Sequence, residues 1–98
     1  MGVRGLGGIA VLVGLLLAGQ ASAACYADYK AKQDEPLRLH YGVIELPEAA
    51  CTGGTDPAAA VSERIAPDGW ILLSVLGLFG SEGLEARRGD AGEYFLRY

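Results

Sequence analysis

Two cysteines and one histidine, Cys25, Cys51 and His40, are the side chains best suited to redox, metal or nucleophilic chemistry. The cysteines have no Cys-x-x-Cys spacing and no basic neighbour close in sequence to lower a thiol pKa, so a redox-active pair is not indicated. Two sulfurs and one imidazole leave a tetrahedral metal site incomplete without carboxylates. Any Ser-His-Asp or Cys-His arrangement would have to run through His40. That residue lies beside Arg38 on the polar phase of an alternating stretch, where an exposed surface histidine is expected. Glu82 and Glu85 share a polar stretch with Arg87 and Arg88, which points to surface charge balance rather than a catalytic carboxylate pair. Gly77-x-x-Gly80-x-x-Gly83 has neither a Gly-Lys-Ser/Thr nor a following helix pattern and reads as loop punctuation, not a phosphate cradle. Arg88-Gly89-Asp90, the tripeptide of integrin ligands, is too short to count. No catalytic, cofactor-binding or metal-binding residue is assigned, and no enzymatic activity is expected; a small ligand carrier or enzyme using His40 is the alternative.

The cysteines take their meaning from the N-terminal residues. Arg4 followed by the apolar run Ile9–Ala18 and the small-x-small site Ala21-Ser22-Ala23 has the layout of an export signal, with cleavage expected between Ala23 and Ala24. The run is shorter than the roughly 20 residues that span a bilayer. An uncleaved anchor, or a lipid on Cys25, is the membrane-tethered alternative; Ser22 stands where a lipidation site wants a bulky apolar residue. Both cysteines survive cleavage into an oxidising compartment, periplasmic or extracellular, and only one intramolecular pairing exists. A Cys25–Cys51 disulfide is expected, and closing that loop contributes about 3 kcal/mol. A domain this small buries little surface, so the staple matters.

The 98 residues leave no room for a second domain beyond the signal. Apart from Arg4, every charged residue lies in 24–98, so that part is more acidic than the net −4 of the whole chain. Such a balance excludes a nucleic-acid binder, which needs clustered Lys and Arg. The mean hydropathy of +0.25 owes much to the signal, so contact with a membrane is expected only during export.

The elements follow from local chemistry. Cys25–Gln33 fits a short helix, by composition and by the i, i+4 pair Cys25/Tyr29, and also a strand, by strict alternation; a short helix is expected. Residues 37–46 alternate Leu37, Leu39, Tyr41 and Val43 against Arg38, His40 and Gly42, the mark of a half-buried strand stopped by Pro47. Residues 48–55, with Cys51, read as a loop. Asp56 before Pro57 starts a helix over 57–66, with Val61 and Ile65 on its apolar face. Pro67-Asp68-Gly69 is a turn that aims Trp70 under that helix. Residues 70–79 are apolar on both faces and read as the central strand of a small sheet; 80–92 is a polar connection, and 93–98 a terminal strand. The fold class is therefore α+β: a small antiparallel sheet of strands 37–46, 70–79 and 93–98, one helix on one face, and a core of Trp70, Tyr41, Val61, Ile65 and Leu72.

Leu39-His40-Tyr41-Gly42-Val43-Ile44-Glu45-Leu46 resembles the opening strand of a family of small bacterial domains, which typically reads Trp-Glu-Tyr-Lys-Val-Val-Glu-Leu. The helix Ala60–Ala66 running through Pro67-Asp68-Gly69-Trp70 into Ile71–Val75 is similar to that family's signature, and Tyr94-Phe95-Leu96-Arg97 to its closing strand. The family is domain of unknown function 4177, and the likeness covers roughly 37–98. The sequence departs from it at Gly42 and Ile71, and adds both cysteines and a 24–36 extension. The resemblance implies a small α+β fold and no catalytic residue.

A two-faced apolar strand carries the functional expectation. Trp70, Leu72 and Leu76 would meet the helix, leaving Ile71, Leu73 and Val75 for a second face. Unless Cys25–Gln33 covers that face, it should meet another chain, a second copy or an envelope protein. The chain is thus expected to be an exported, non-enzymatic binding or structural domain held by one disulfide, with no cofactor.

Overall fold

The computed structural model describes residues 24–98; the expected export signal, 1–23 with its cleavage site at Ala23, lies outside the described residues. The elements run β1 (Cys25–Gln33), β2 (Arg38–Leu46), α1 (Glu48–Thr52), α2 (Pro57–Ile65), β3 (Ile71–Phe79) and α3 (Leu84–Ala91), with short 3-10 turns at Ala66–Asp68, Ser81–Gly83 and Gly92–Tyr94. The three strands form one antiparallel sheet in the order β2–β1–β3, so the fold is α+β as expected.

The central strand is β1. Cys25–Gln33, expected as a short helix in an extension outside the domain, is a strand with partners on both sides. Alternation wins because Cys25, Ala27, Tyr29 and Ala31 all point into the core. Helical geometry would have brought the charged Asp28 and Lys32 onto the same face as Cys25 and Tyr29. The pairing with β2 is continuous from Cys25↔Leu46 to Gln33↔Arg38.

Residues 70–79, expected at the centre, form an edge strand instead. Its pairing with β1 slips twice, between Asp28 and Tyr29 and between Lys30 and Ala31, which leaves Leu73 and Leu76 without cross-strand partners. Each extra residue reverses the inward phase. Leu72, Val75 and Leu78 therefore stand opposite the inward residues Ala31, Tyr29 and Ala27. Val75, expected on the outer face, packs against the core, whereas Leu76, expected under the helix, is 51% exposed.

The core lies between β1, the inner phase of β2, and helices α1 and α2. Asp56 caps α2 by accepting from the Ala58 amide at 3.1 Å, and Pro57 takes the first helical position, as read from the sequence. Val61 and Ile65 are fully buried. Pro67 ends the α-helix at Ile65, and Gly69 at φ 84° turns the chain so that Trp70 enters the core. Of the remaining expected core residues, Leu72 is partly buried against this cluster, whereas Tyr41 sits half-buried on the opposite face of the sheet.

The inner phase of β2 is His40, Gly42, Ile44 and Leu46, the reverse of the expected one; Leu37 and Leu39 are 64% and 65% exposed. Gly42 has a steric reason. A Cβ there would stand 2.5 Å from the Tyr29 hydroxyl oxygen, since the Tyr29 ring lies across it. Two elements replace expected loops: α1 carries Cys51 and buries Ala50, and α3 packs against the outer face of β2. The expected strand at 93–98 is a 3-10 turn followed by a single parallel bridge between Phe95 and Val43. Gly92, at φ 54° and ψ −126°, breaks the chain direction there.

Cys25 and Cys51 are joined in a disulfide, which ties the start of β1 to α1 and fits an oxidising compartment.

Candidate functional site

His40 is buried, not exposed, because it lies on the inner phase of β2, under Tyr94 and against Trp70. Its ring stacks on Tyr94 with centroids 3.7 Å apart and 7° between the planes, and meets Trp70 edge-on at 4.2 Å. Nε2 lies 2.9 Å from the Tyr29 hydroxyl, and Nδ1 is buried without a partner among the described residues. Burial lowers the imidazole pKa to about 4; Glu93 raises it, against burial, and Arg97 lowers it further. The ring is therefore neutral near pH 7, and Tyr29 is pushed well above the usual phenol range by the same burial. A base this weak, enclosed by aromatic rings, is a poor proton acceptor for catalysis.

The aromatic cluster is closed from outside by the C-terminal residues. The Tyr98 hydroxyl donates to Asp68 at 2.8 Å, and Arg64 of α2 donates to the main-chain oxygens of both Tyr98 (2.9 Å) and Glu45 (3.1 Å). Arg38 lies over the Trp70 ring at 5.5 Å.

On the opposite face, Asp28 of β1 accepts from Arg87 Nε at 3.1 Å and from the Tyr41 hydroxyl at 2.9 Å. The Arg87 guanidinium also covers the Phe79 ring at 3.9 Å, so one side chain fastens α3 to β1 and β3. Tyr41 is pushed up to about 12 by burial and its bond to Asp28. Arg87, expected in surface charge balance with Glu82 and Glu85, reaches Asp28 instead, because α3 lies across the sheet. Asp28 was not singled out in the sequence, where the available signal was a carboxylate in a strand phase shared with Tyr26 and later lysines. Gly77 stands opposite Asp28, and Gly83 lies under Phe79 and Arg87, so the spaced glycines pack beside a carboxylate, where an anion would be repelled. Glu85 pairs with Arg88 at 3.2 Å, as the charge-balance reading holds. Among the described residues, no group of three His, Cys, Asp or Glu side chains is placed to hold a metal.

The remaining feature is apolar and open. Beyond α3 no element among the described residues covers the outer face, and a shallow cavity of about 270 Å³ is lined by Lys30, Ala31, Leu39, His40, Tyr41 and Leu73. Along the adjoining β3 edge, Ile71, Leu73 and Leu76 are each about half exposed, and Leu78 is 42% exposed. The two edges of the sheet differ. Beside β2, the Leu96 amide donates to the Val43 carbonyl at 2.8 Å. Beside β3, no strand is paired among the described residues.

No protein-family model, curated protein or solved structure matches this chain.

Proposed function

We propose that the chain is an exported, non-enzymatic binding domain whose working surface is the apolar border formed by β3 and the neighbouring outer face. The observation that supports it is the pair Leu73 and Leu76, two bulged leucines each 51% exposed on an edge that the described chain leaves open. Contiguous apolar surface of this kind is what partner surfaces offer. Two bulges in nine residues twist an edge and interrupt its row of backbone donors and acceptors. The occupant is therefore a polypeptide gripped by leucine side chains rather than a strand added to the ladder.

Export rests on the Arg4–Ala23 layout together with the disulfide, and the periplasm or extracellular space is the compartment this reading requires. A lipid on Cys25 does not fit, because its sulfur is bonded to Cys51. The resemblance to domain of unknown function 4177 adds no site residue to this reading.

A photo-crosslinking side chain at Ser74, an exposed position between the two bulges, tests the surface in the producing cell. Crosslinks to a polypeptide from position 74 but not from Glu63, exposed on α2, are expected. A product that joins two copies of the chain identifies self-association. If position 74 yields no crosslinked polypeptide, or yields the same products as position 63, the reading fails.

A further inference from the structure

Residues 92–98 lie against β2 without joining the sheet. Their backbone attachment is the Phe95–Val43 bridge, with the Leu96 amide donating to Val43 at 2.8 Å. Side chains add further holds: Tyr94 stacked on His40 and edge-on to Trp70, the Tyr98 hydroxyl on Asp68, Arg64 on the Tyr98 main-chain oxygen, and Arg88 of α3 over the Phe95 ring at 4.5 Å. Of these, the stack on His40 is buried and depends on a ring whose ordinary titration falls near neutral pH.

We propose that His40 is an acid-sensitive latch: the neutral ring holds Tyr94, and with it residues 92–98, against β2, and protonation releases that segment and uncovers the outer edge of β2. Nε2 lies 2.9 Å from the Tyr29 hydroxyl, so one of the two donates to the other, and Nδ1 is buried without a partner among the described residues. In the cation both ring nitrogens are donors, and the Tyr29 hydroxyl can accept from Nε2 alone. Nδ1–H is then a buried donor on a charged ring with nothing among the described residues to receive it. The resulting cation is walled by Tyr29 of β1, Trp70 ahead of β3, and Tyr94 and Tyr98 of the segment itself. Among charged neighbours, Arg38 of β2 lies over Trp70, Arg64 of α2 is spent on Tyr98, Asp68 accepts from the Tyr98 hydroxyl, Arg97 opposes the charge, and Glu93 favours it. Movement of the segment lets water reach the ring and removes the desolvation.

The direction follows from the depressed pKa. The closed arrangement is fully favoured above the ordinary histidine value of 6.5 and loses that preference as pH falls to about 4. A gap of that size changes the closed-to-open ratio on the order of a hundredfold.

Native-state amide exchange of the disulfide-bonded protein between pH 7 and pH 4, corrected for the intrinsic pH dependence, reads the opening at Leu96 against the amides of β1. Leu96 protection is expected to fall on the order of a hundredfold while β1 holds. His40→Phe keeps a ring under Tyr94 but has no proton to gain, and should leave Leu96 protected at pH 4. Tyr94→Leu, which leaves His40 in place, should expose Leu96 already at pH 7, with little further loss in acid. Leu96 protection that ignores pH, that falls together with β1, or that falls equally in His40→Phe overturns the latch.

Discussion

Removing the Cys25–Cys51 bond should cost this domain a large share of its stability. The bond closes a loop with a sequence separation of 26, and the chain-entropy relation gives about 3.5 kcal/mol for that length. Cys25 is 6% exposed, so replacing both cysteines with alanine also leaves a small void beside Leu46 and Ala50, which adds about 1 kcal/mol. A domain the size of residues 24–98 has a total stability on the order of 4–11 kcal/mol. The Cys25→Ala/Cys51→Ala variant should therefore be marginal, and reduction of the native chain nearly as damaging. Urea unfolding of the oxidised protein, the reduced protein and the double variant gives the comparison. Midpoints should fall in that order, and the m-value should rise without the bond because the unfolded chain is no longer cross-linked. A loss below about 1 kcal/mol would refute the reasoning: it would show that the β1–β2 hairpin and helices hold without the staple, and would weaken the case for an oxidising compartment.

Gly42→Ala places a Cβ 2.5 Å from the Tyr29 hydroxyl oxygen and 2.6 Å from its Cζ, and should cost about 1–3 kcal/mol in denaturant unfolding. Gly89→Ala, inside α3 with nothing within 4 Å of the added atom, should instead stabilise by about 0.5–1 kcal/mol in the same assay. Arg87→Ala leaves the buried Asp28 carboxylate with the Tyr41 hydroxyl as its remaining donor and should lower stability by about 2 kcal/mol; Arg87→Ala combined with Asp28→Asn should recover part of that loss. Leu73→Lys with Leu76→Lys should change stability by less than about 1 kcal/mol, because both side chains are half exposed, while abolishing crosslinking from position 74.

Local chemistry made some of this fold legible and long-range contacts decided the rest. The α2 start at Asp56-Pro57 and the Pro67-Asp68-Gly69 turn depend on a few adjacent residues, and both stand where the sequence places them. Cys25–Gln33 satisfied two periodicities at once, and pairing with strands far along the chain chose between them. The β2 phase was misread because its outer face carries apolar residues too: Val43 is buried there, whereas Leu37 and Leu39 stand exposed. Alternation then no longer marks inside from outside, and His40 moved from the expected surface into the core. The β3 faces were misassigned at Val75 and Leu76 because two bulges reverse the phase, and no residue within β3 announces them. α3 was hidden in a glycine-rich stretch; what fixes it is Arg87 reaching Asp28, a pair separated by most of the chain. The open surface was half legible. The surplus of apolar residues at 70–79 pointed to the right strand, whereas its place at an edge followed only from β1 taking the centre.

An intact mass of the protein from the cells that make it tests most directly whether the chain is exported and carries a closed disulfide. The predicted mass is that of a chain beginning at Ala24, lighter by two hydrogens than its reduced form and without a lipid. A mass that retains residues 1–23, carries an added lipid, or matches two free thiols would contradict it.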